Sequence, residues 1–223
     1  RENKKKENIF VVGNTVIDAL LSTVKENYRF ADKEIEDIEE HKRVILVTTH
    51  RRENLGTPMH HVYKALRRLV ETVPHTEVVF PVHRNPLVRE AVEEELEGVP
   101  GIHLVEPMEY EPFTNLMARS SIVLTDSGGI QEEAPSLGKP VLVLRDTTER
   151  PEAIAAGTVK LVGTDENLIY ETAYRLLTDK KAYDAMSEAV NPYGDGKASE
   201  RIVETLLYRS GLSDKKPSKF IAK

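Results

Sequence analysis

Short apolar, β-rich runs alternate along the chain with stretches whose apolar residues return at helical spacing. Val44–Thr48, Glu77–Val82, His103–Val105, Ile122–Thr125, Val141–Leu144 and Val159–Val162 read as strands, with a shorter one at Ile9–Val12 ending at Gly13. The longer runs are apolar throughout rather than alternating, the mark of strands buried on both faces. Asn14 is placed to cap a helix with Val16, Ala19, Leu20 and Val24 on one face. Pro58 stands where helices begin, ahead of Val62, Leu66, Leu69, Val70 and Val73. Further helices are predicted over Leu87–Leu96, from Pro112 to Arg119, and from Gly128-Gly129 through Leu137, where Gly138-Lys139-Pro140 stops the last of them. Lys33–Lys42 reads as a charged, solvated connection with about one helical turn. Glu166–Thr178, Lys180–Ala189 and Ser199–Ser210 read as helices, and the lysine-rich end is expected to fray.

Strand–helix alternation with doubly buried strands predicts an α/β fold: a Rossmann-like, doubly wound parallel sheet with helices on each side. At 39% hydrophobic and 30% charged residues, the chain can build an ordinary core. No apolar run approaches the ~20 residues that span a bilayer, and no apolar leader opens the sequence. The absence of cysteine excludes disulfides, a thiolate zinc site and a cysteine nucleophile, and fits a reducing compartment. A net charge of −6 argues against nucleic-acid binding unless the basic residues cluster strongly.

In such a sheet, ligands bind beyond the carboxyl ends of the strands. Four polar clusters fall there: His50-Arg51-Arg52-Glu53-Asn54, His83-Arg84-Asn85, Asp126-Ser127-Gly128-Gly129, and Arg145 through Arg150. Ser127-Gly128-Gly129 would let a ligand approach backbone amides at the positive end of a helix, which suits a phosphate; the same residues also fit a plain turn. One turn on, Glu133 borders the buried stripe of Ile130, Ala134 and Leu137, whereas Glu132 is expected to point away. Glu133 could accept hydrogen bonds from sugar hydroxyls or belong to a solvated pair. Arg145 and Arg150 could each grip a diphosphate or form local ion pairs, and spacing does not choose between them. Beside the cationic Arg51, a neutral His50 is expected, suited to hydrogen bonding or proton transfer. A structural role fits His50 equally, and His83 likewise. His60-His61 reads as a solvated pair lacking the spacing of a zinc helix, and no metal site is read elsewhere. Phe113, in the loop from Glu106, could cradle a flat base or plug the core.

Taken together, these segments resemble the carboxyl-terminal half of non-hydrolysing UDP-N-acetylglucosamine 2-epimerases. The resemblance is carried by Gly13-Asn14-Thr15-Val16-Ile17-Asp18, Thr49 to Asn54, Pro81 to Pro86, the run Leu124–Thr164 and Asn191 to Val203, and so by nearly the whole chain. It implies the carboxyl-terminal domain of a GT-B-like two-domain fold. The reaction implied interconverts UDP-GlcNAc and UDP-ManNAc by UDP elimination and readdition through a 2-acetamidoglucal, with no cofactor. It assigns UDP binding to Phe113 on the uracil side, Ser127, Gly128, Gly129, Glu133 at the ribose and Arg150. His50 matches a histidine of substrate binding and catalysis. Arg51 and His83 match residues that hold an allosteric second UDP-GlcNAc. Met108 and Arg84 depart from residue types common at their positions.

The division that follows is residues 1–32 as interdomain crossing segment and helix, 33–42 as charged connection, 43–198 as UDP-binding domain, and 199–223 as C-terminal helix and tail. The family's proton-transferring acids lie in an amino-terminal domain, so the chain is expected to be one half of a two-domain enzyme, inactive alone. A cytoplasmic homodimer is expected of the intact protein. A glycosyltransferase of the same architecture, or a non-catalytic nucleotide-sugar-binding module, are the alternatives.

Overall fold

Every strand expected between residues 43 and 162 forms within one residue of its predicted ends. The computed structural model describes residues 4–222; the outermost residues of the expected first and last units, 1–3 and 223, lie outside the described residues. The strands are β1 (Arg43–Thr48), β2 (Thr76–Pro81), β3 (Ile102–Val105), β4 (Ile122–Thr125), β5 (Val141–Val143) and β6 (Val159–Leu161). They form one all-parallel sheet in the order β3-β2-β1-β4-β5-β6.

The helices are α1 (Thr15–Thr23), α2 (Lys33–Glu36), α3 (Thr57–Thr72), α4 (Pro86–Leu96), α5 (Tyr110–Arg119), α6 (Ile130–Glu133), α7 (Pro151–Ala156), α8 (Glu166–Thr178), α9 (Lys180–Ser187) and α10 (Ala198–Arg209). Successive strand residues point to opposite faces, so each strand feeds two cores. Ile45, Val47, Val78, Phe80, Ile122, Leu124 and Leu142 pack with residues of α3, α4 and α8. Val44, Leu46, Val79, Val123, Val141 and Val143 pack on the other side with Ile35, Leu116, Met117 and Ala153. This double burial explains the uninterrupted apolar runs. Among the described residues no helix is long and apolar enough to cross a membrane.

Three local expectations are corrected. Ile9–Val12 forms no strand: the Ile9 amide donates back to Lys6, Arg201 Nη1 donates to the Val12 carbonyl, and the Phe220 amide donates to the Val11 carbonyl. The same contact anchors the tail that was expected to fray, where Pro217 is buried and the Arg201 guanidinium lies 5.7 Å from the Phe220 ring centroid. In α1 the buried residues are Ile17 and Leu20, while Ala19 is exposed, because the helix packs on α10 as well as on the α/β core.

The helix after Gly129 also departs from plan. It holds α geometry only through Glu133 and tightens to a 3₁₀ turn over Ala134–Leu137. Pro135 has no N–H to give to the preceding turn and its ring crowds the carbonyl there, so the α register cannot continue. Gly138, at φ 66°, then closes the turn in the left-handed region.

This strand order places the functional crevice. From β1 the chain winds outward to β2 and β3, then returns to β4 on the other side of β1. Loops leaving the carboxyl ends of β1 and β4 therefore diverge, and a crevice opens between them.

Candidate functional site

The crevice begins where β1 and β4 end side by side. Thr48 and Thr125 are register partners, and their hydroxyl oxygens lie 2.6 Å apart. Immediately beyond them stand His50 and Asp126. Asp126 is fully buried. Its Oδ2 accepts from the backbone amides of His50 at 2.9 Å and Arg51 at 2.8 Å, and from Asn54 Nδ2 at 3.4 Å. The His50 ring, 41% exposed, brings Nδ1 to 2.8 Å from Asp126 Oδ1. Burial opposes ionisation of Asp126, but the His50 ring and the Arg51 and His50 amides outweigh it and hold the carboxyl below its usual range. The expectation set only the cation Arg51 beside His50; the nearest charge is this carboxylate.

The turn after β4 carries Ser127, Gly128 and Gly129. Neither glycine has a positive φ, so their use is close approach rather than backbone conformation. A Cβ on Gly128 would stand 3.9 Å from Arg150 Nη2. Ahead of α6 the first helical bonds run from the Glu132 and Glu133 amides to the Gly129 carbonyl. Of the amides before them, the kind a helix leaves for a ligand, that of Ser127 already donates to Thr125 Oγ1 at 3.0 Å. Gln131 donates from Nε2 to the Ser127 carbonyl at 3.1 Å and accepts from Thr148 Oγ1 at 2.6 Å, which ties this turn to the loop after β5.

Two arginines on that loop, equivalent by spacing, differ in space. Arg145 is buried and occupied: Nε donates to Glu53 at 2.8 Å, and Nη1 and Nη2 donate to Glu149 at 2.7 and 3.1 Å. Those Arg145 bonds depress the Glu149 carboxyl to about 2. Arg145 thus locks the loop after β1 to the loop after β5. Arg150 instead lies over Gly128, with Nε donating to Glu132 and Nη1 to the Glu149 carbonyl at 3.2 Å.

Glu132, expected to point away from the buried stripe of its helix, is itself buried. Glu132 and Glu133 are 8% and 9% exposed. Beside Arg150, Glu132 accepts from Asn14 Nδ2, and its carbonyl accepts from Asn191 Nδ2 at 2.7 Å. Asn14 and the Asn191 loop cover what an isolated α6 would expose. Burial raises the Glu133 carboxyl above its usual range, and the neighbouring Glu132 charge adds to that.

Phe113 lies in α5, half-buried against the second core beside Met108. The helix starts at Tyr110, two residues before the expected Pro112. His83 is exposed and accepts from the Asn85 amide at 3.1 Å; its ring centroid lies 6.0 Å from that of His50. Arg51, next to His50 in the chain, is half-buried. Of the expected solvated pair His60-His61, His61 is exposed and His60 only half-buried, with a partner. His60 Nδ1 lies 3.0 Å from Glu95, and His61 lines a separate cavity of about 480 Å³ with Arg145 and Asp146.

His50, Arg51, Ser127, Gly128, Gly129, Glu133 and Arg150 thus share one sheet edge, with His83 adjoining. Three partners were not singled out by sequence reading. Asp126 and Asn54 lie within the clusters it found, but a buried acceptor of backbone amides leaves no periodic trace. Glu132 meets Asn14 across 118 residues, a separation over which spacing carries no information.

Comparison with known proteins gives the following. A family model described as UDP-N-acetylglucosamine 2-epimerase matches residues 1–207. The UDP-N-acetylglucosamine 2-epimerase of Bacillus subtilis is 55% identical over 223 residues, covering 100% of this chain and 58% of its own length. A crystal structure of a Listeria monocytogenes protein described as a UDP-N-acetylglucosamine 2-epimerase superposes with a TM-score of 0.94 at 48% identity, covering 99% of this chain and 58% of that one. A Staphylococcus aureus structure with UDP gives a TM-score of 0.91 at 49% identity, covering 99% and 60% respectively. A glycosyltransferase of lipopolysaccharide biosynthesis, 20% identical, shares the fold at a TM-score of 0.55. The chain therefore spans under two thirds of the length of the relatives it matches.

Proposed function

Because the chain belongs to the UDP-N-acetylglucosamine 2-epimerase family, we propose that it is the UDP-holding part of an enzyme interconverting UDP-GlcNAc and UDP-ManNAc. The observation that carries this reading is the placement of Arg150 over Gly128, two residues after the Asp126 that His50 contacts. Gly128 and Gly129 offer backbone N–H groups to the diphosphate, Ser127 its hydroxyl, since its own amide donates to Thr125 Oγ1, and the Arg150 guanidinium neutralises the charge. Glu133 takes the ribose hydroxyls, and Phe113 supports the uracil. His50 stands at the diphosphate end, where the bond from C1 to the leaving oxygen breaks.

In this reading a base removes the C2 proton and UDP departs from C1, leaving a 2-acetamidoglucal. Reprotonation of C2 on the opposite face and return of UDP to C1 give the epimer. A base must reach the proton that it abstracts, and the rim described here holds the nucleotide end of the substrate. The C2 acids are therefore assigned to the share of the relatives' length that this chain does not match. Arg51 and His83 border the same edge and form the proposed seat of a second, activating UDP-GlcNAc. A cytoplasmic homodimer completes the proposal.

Calorimetry of the 223-residue chain with UDP tests the binding part. Saturable one-to-one binding, weakened in Arg150→Ala, is the expected result, and no heat with UDP overturns it. The same chain is expected not to incorporate solvent deuterium at C2 of UDP-GlcNAc. Incorporation would place the base within these residues.

A further inference from the structure

The geometry points to Asp126 as the positioning residue of His50: it holds the ring with the proton on Nδ1 and leaves the Nε2 lone pair toward the nucleotide crevice. This inference rests on the reading of His50 as the diphosphate-end residue, but its test does not.

The two oxygens of Asp126 are in different states. Oδ2 is committed, because it accepts from two successive backbone amides, His50 and Arg51, and from Asn54 Nδ2. Oδ1 is fully buried and, among the described residues, has no aligned donor. One group stands near it, His50 Nδ1 at 2.8 Å, off the line of an ideal hydrogen bond. A buried acceptor without a donor costs about 1–3 kcal/mol. A small turn of the half-exposed ring supplies the donor if Nδ1 carries the proton, and cannot if it does not. The carboxylate stays charged, since its own amide and ring contacts favour ionisation. The proton of a neutral ring is thereby assigned to Nδ1, because the partner of one ring nitrogen sets the state of the other.

Two consequences follow for the site. Nε2, across the ring from the buried carboxylate, is the atom that takes up a proton. The imidazolium so formed faces Asp126 on one side and can donate to a phosphate oxygen on the other. Such a carboxylate orients and stabilises the ring without itself being protonated.

Asparagine at 126 distinguishes positioning from mere packing. The two backbone amides demand an oxygen at the Oδ2 place, so the new NH₂ must occupy the Oδ1 place and donate toward Nδ1. A ring that accepts at Nδ1 must carry its proton on Nε2. The experiment is ¹⁵N NMR of the ring nitrogens in the 223-residue chain labelled at histidine, recorded above the ring's titration, with His50→Gln to assign the signals. The wild-type chain is expected to show His50 mainly as the Nδ1–H tautomer, and Asp126→Asn to reverse it to mainly Nε2–H. A wild-type ring found mainly as Nε2–H overturns the inference, and that measurement needs no variant to fold. An unchanged tautomer in a folded Asp126→Asn chain overturns it too. UDP calorimetry on the same samples is read separately: absent binding defeats the nucleotide reading and leaves the tautomer result standing.

Discussion

Asn14 and Glu132, 118 residues apart in the chain, meet in a hydrogen bond from the Asn14 amide to one carboxylate oxygen, while the other takes Arg150 Nε. Asn14 also accepts from the Val16 amide and so caps α1. One buried carboxylate therefore holds both the start of α1 and the arginine over the glycine turn. Glu132→Ala is expected to lower the stability of the chain by about 1–3 kcal/mol, the cost of unpairing buried polar groups. It should also weaken UDP binding, because Arg150 loses its anchor. Denaturant unfolding and calorimetry on one preparation read both effects.

The two arginines after β5 should separate cleanly. Arg150→Ala is expected to weaken UDP binding about 10- to 100-fold, the loss of one charge-assisted hydrogen-bonding group of about 1.5–3 kcal/mol. Arg145→Ala should instead reduce thermal stability, since it unlocks Glu53 from Glu149, and change UDP affinity only within a few-fold. A larger affinity loss at Arg145 than at Arg150 would reverse the assignment.

Glu133 illustrates a site residue held at a cost. Its carboxyl is raised above its usual range by burial and by Glu132, so the folded chain binds that proton more tightly than the unfolded chain. Stability from this group is thus lost as pH rises through the raised value, and near neutrality the charge works against folding. Glu133→Gln is expected to raise the melting temperature of the ligand-free chain at neutral pH and to weaken UDP binding. Melting without ligand and titration with UDP check the two signs.

Asp126 has the opposite linkage. Its depressed carboxyl contributes stability that is present above the ordinary aspartate value of 3.8 and is lost as pH falls through the lower folded value. The wild-type chain should therefore lose stability on acidification below about pH 4, more steeply than Asp126→Asn does. Chemical denaturation at stepped pH measures the difference in slope.

Leu69 on α3 is fully buried in the first core. Leu69→Ala should cost about 2–5 kcal/mol in unfolding free energy, with UDP affinity unchanged in the folded fraction.

The sheet was legible because its strands lie between two helical layers. Burial of both faces wrote runs such as Val44–Val47 and Ile122–Leu124 directly into the sequence. Placing His50 and Gly128 on one edge followed from the carboxyl-end rule alone. What stayed hidden depends on distant partners. Ile9–Val12 has strand-like composition but no strand beside it. Glu132 follows the helical pattern outward, yet Asn14 and Asn191 cover it. The choice between Arg145 and Arg150 turns on which loop reaches which, and spacing within six residues does not encode that.

The pairing of β1 with β4 joins threonines 77 residues apart. A chain must surrender the freedom of that long intervening stretch before the first bond of the ladder repays it, which makes such parallel joins slow to nucleate. The crevice is accordingly an emergent property of the completed wind, owned by no local segment. An excised peptide bearing the Ser-Gly-Gly turn would keep the letters and lose the cleft.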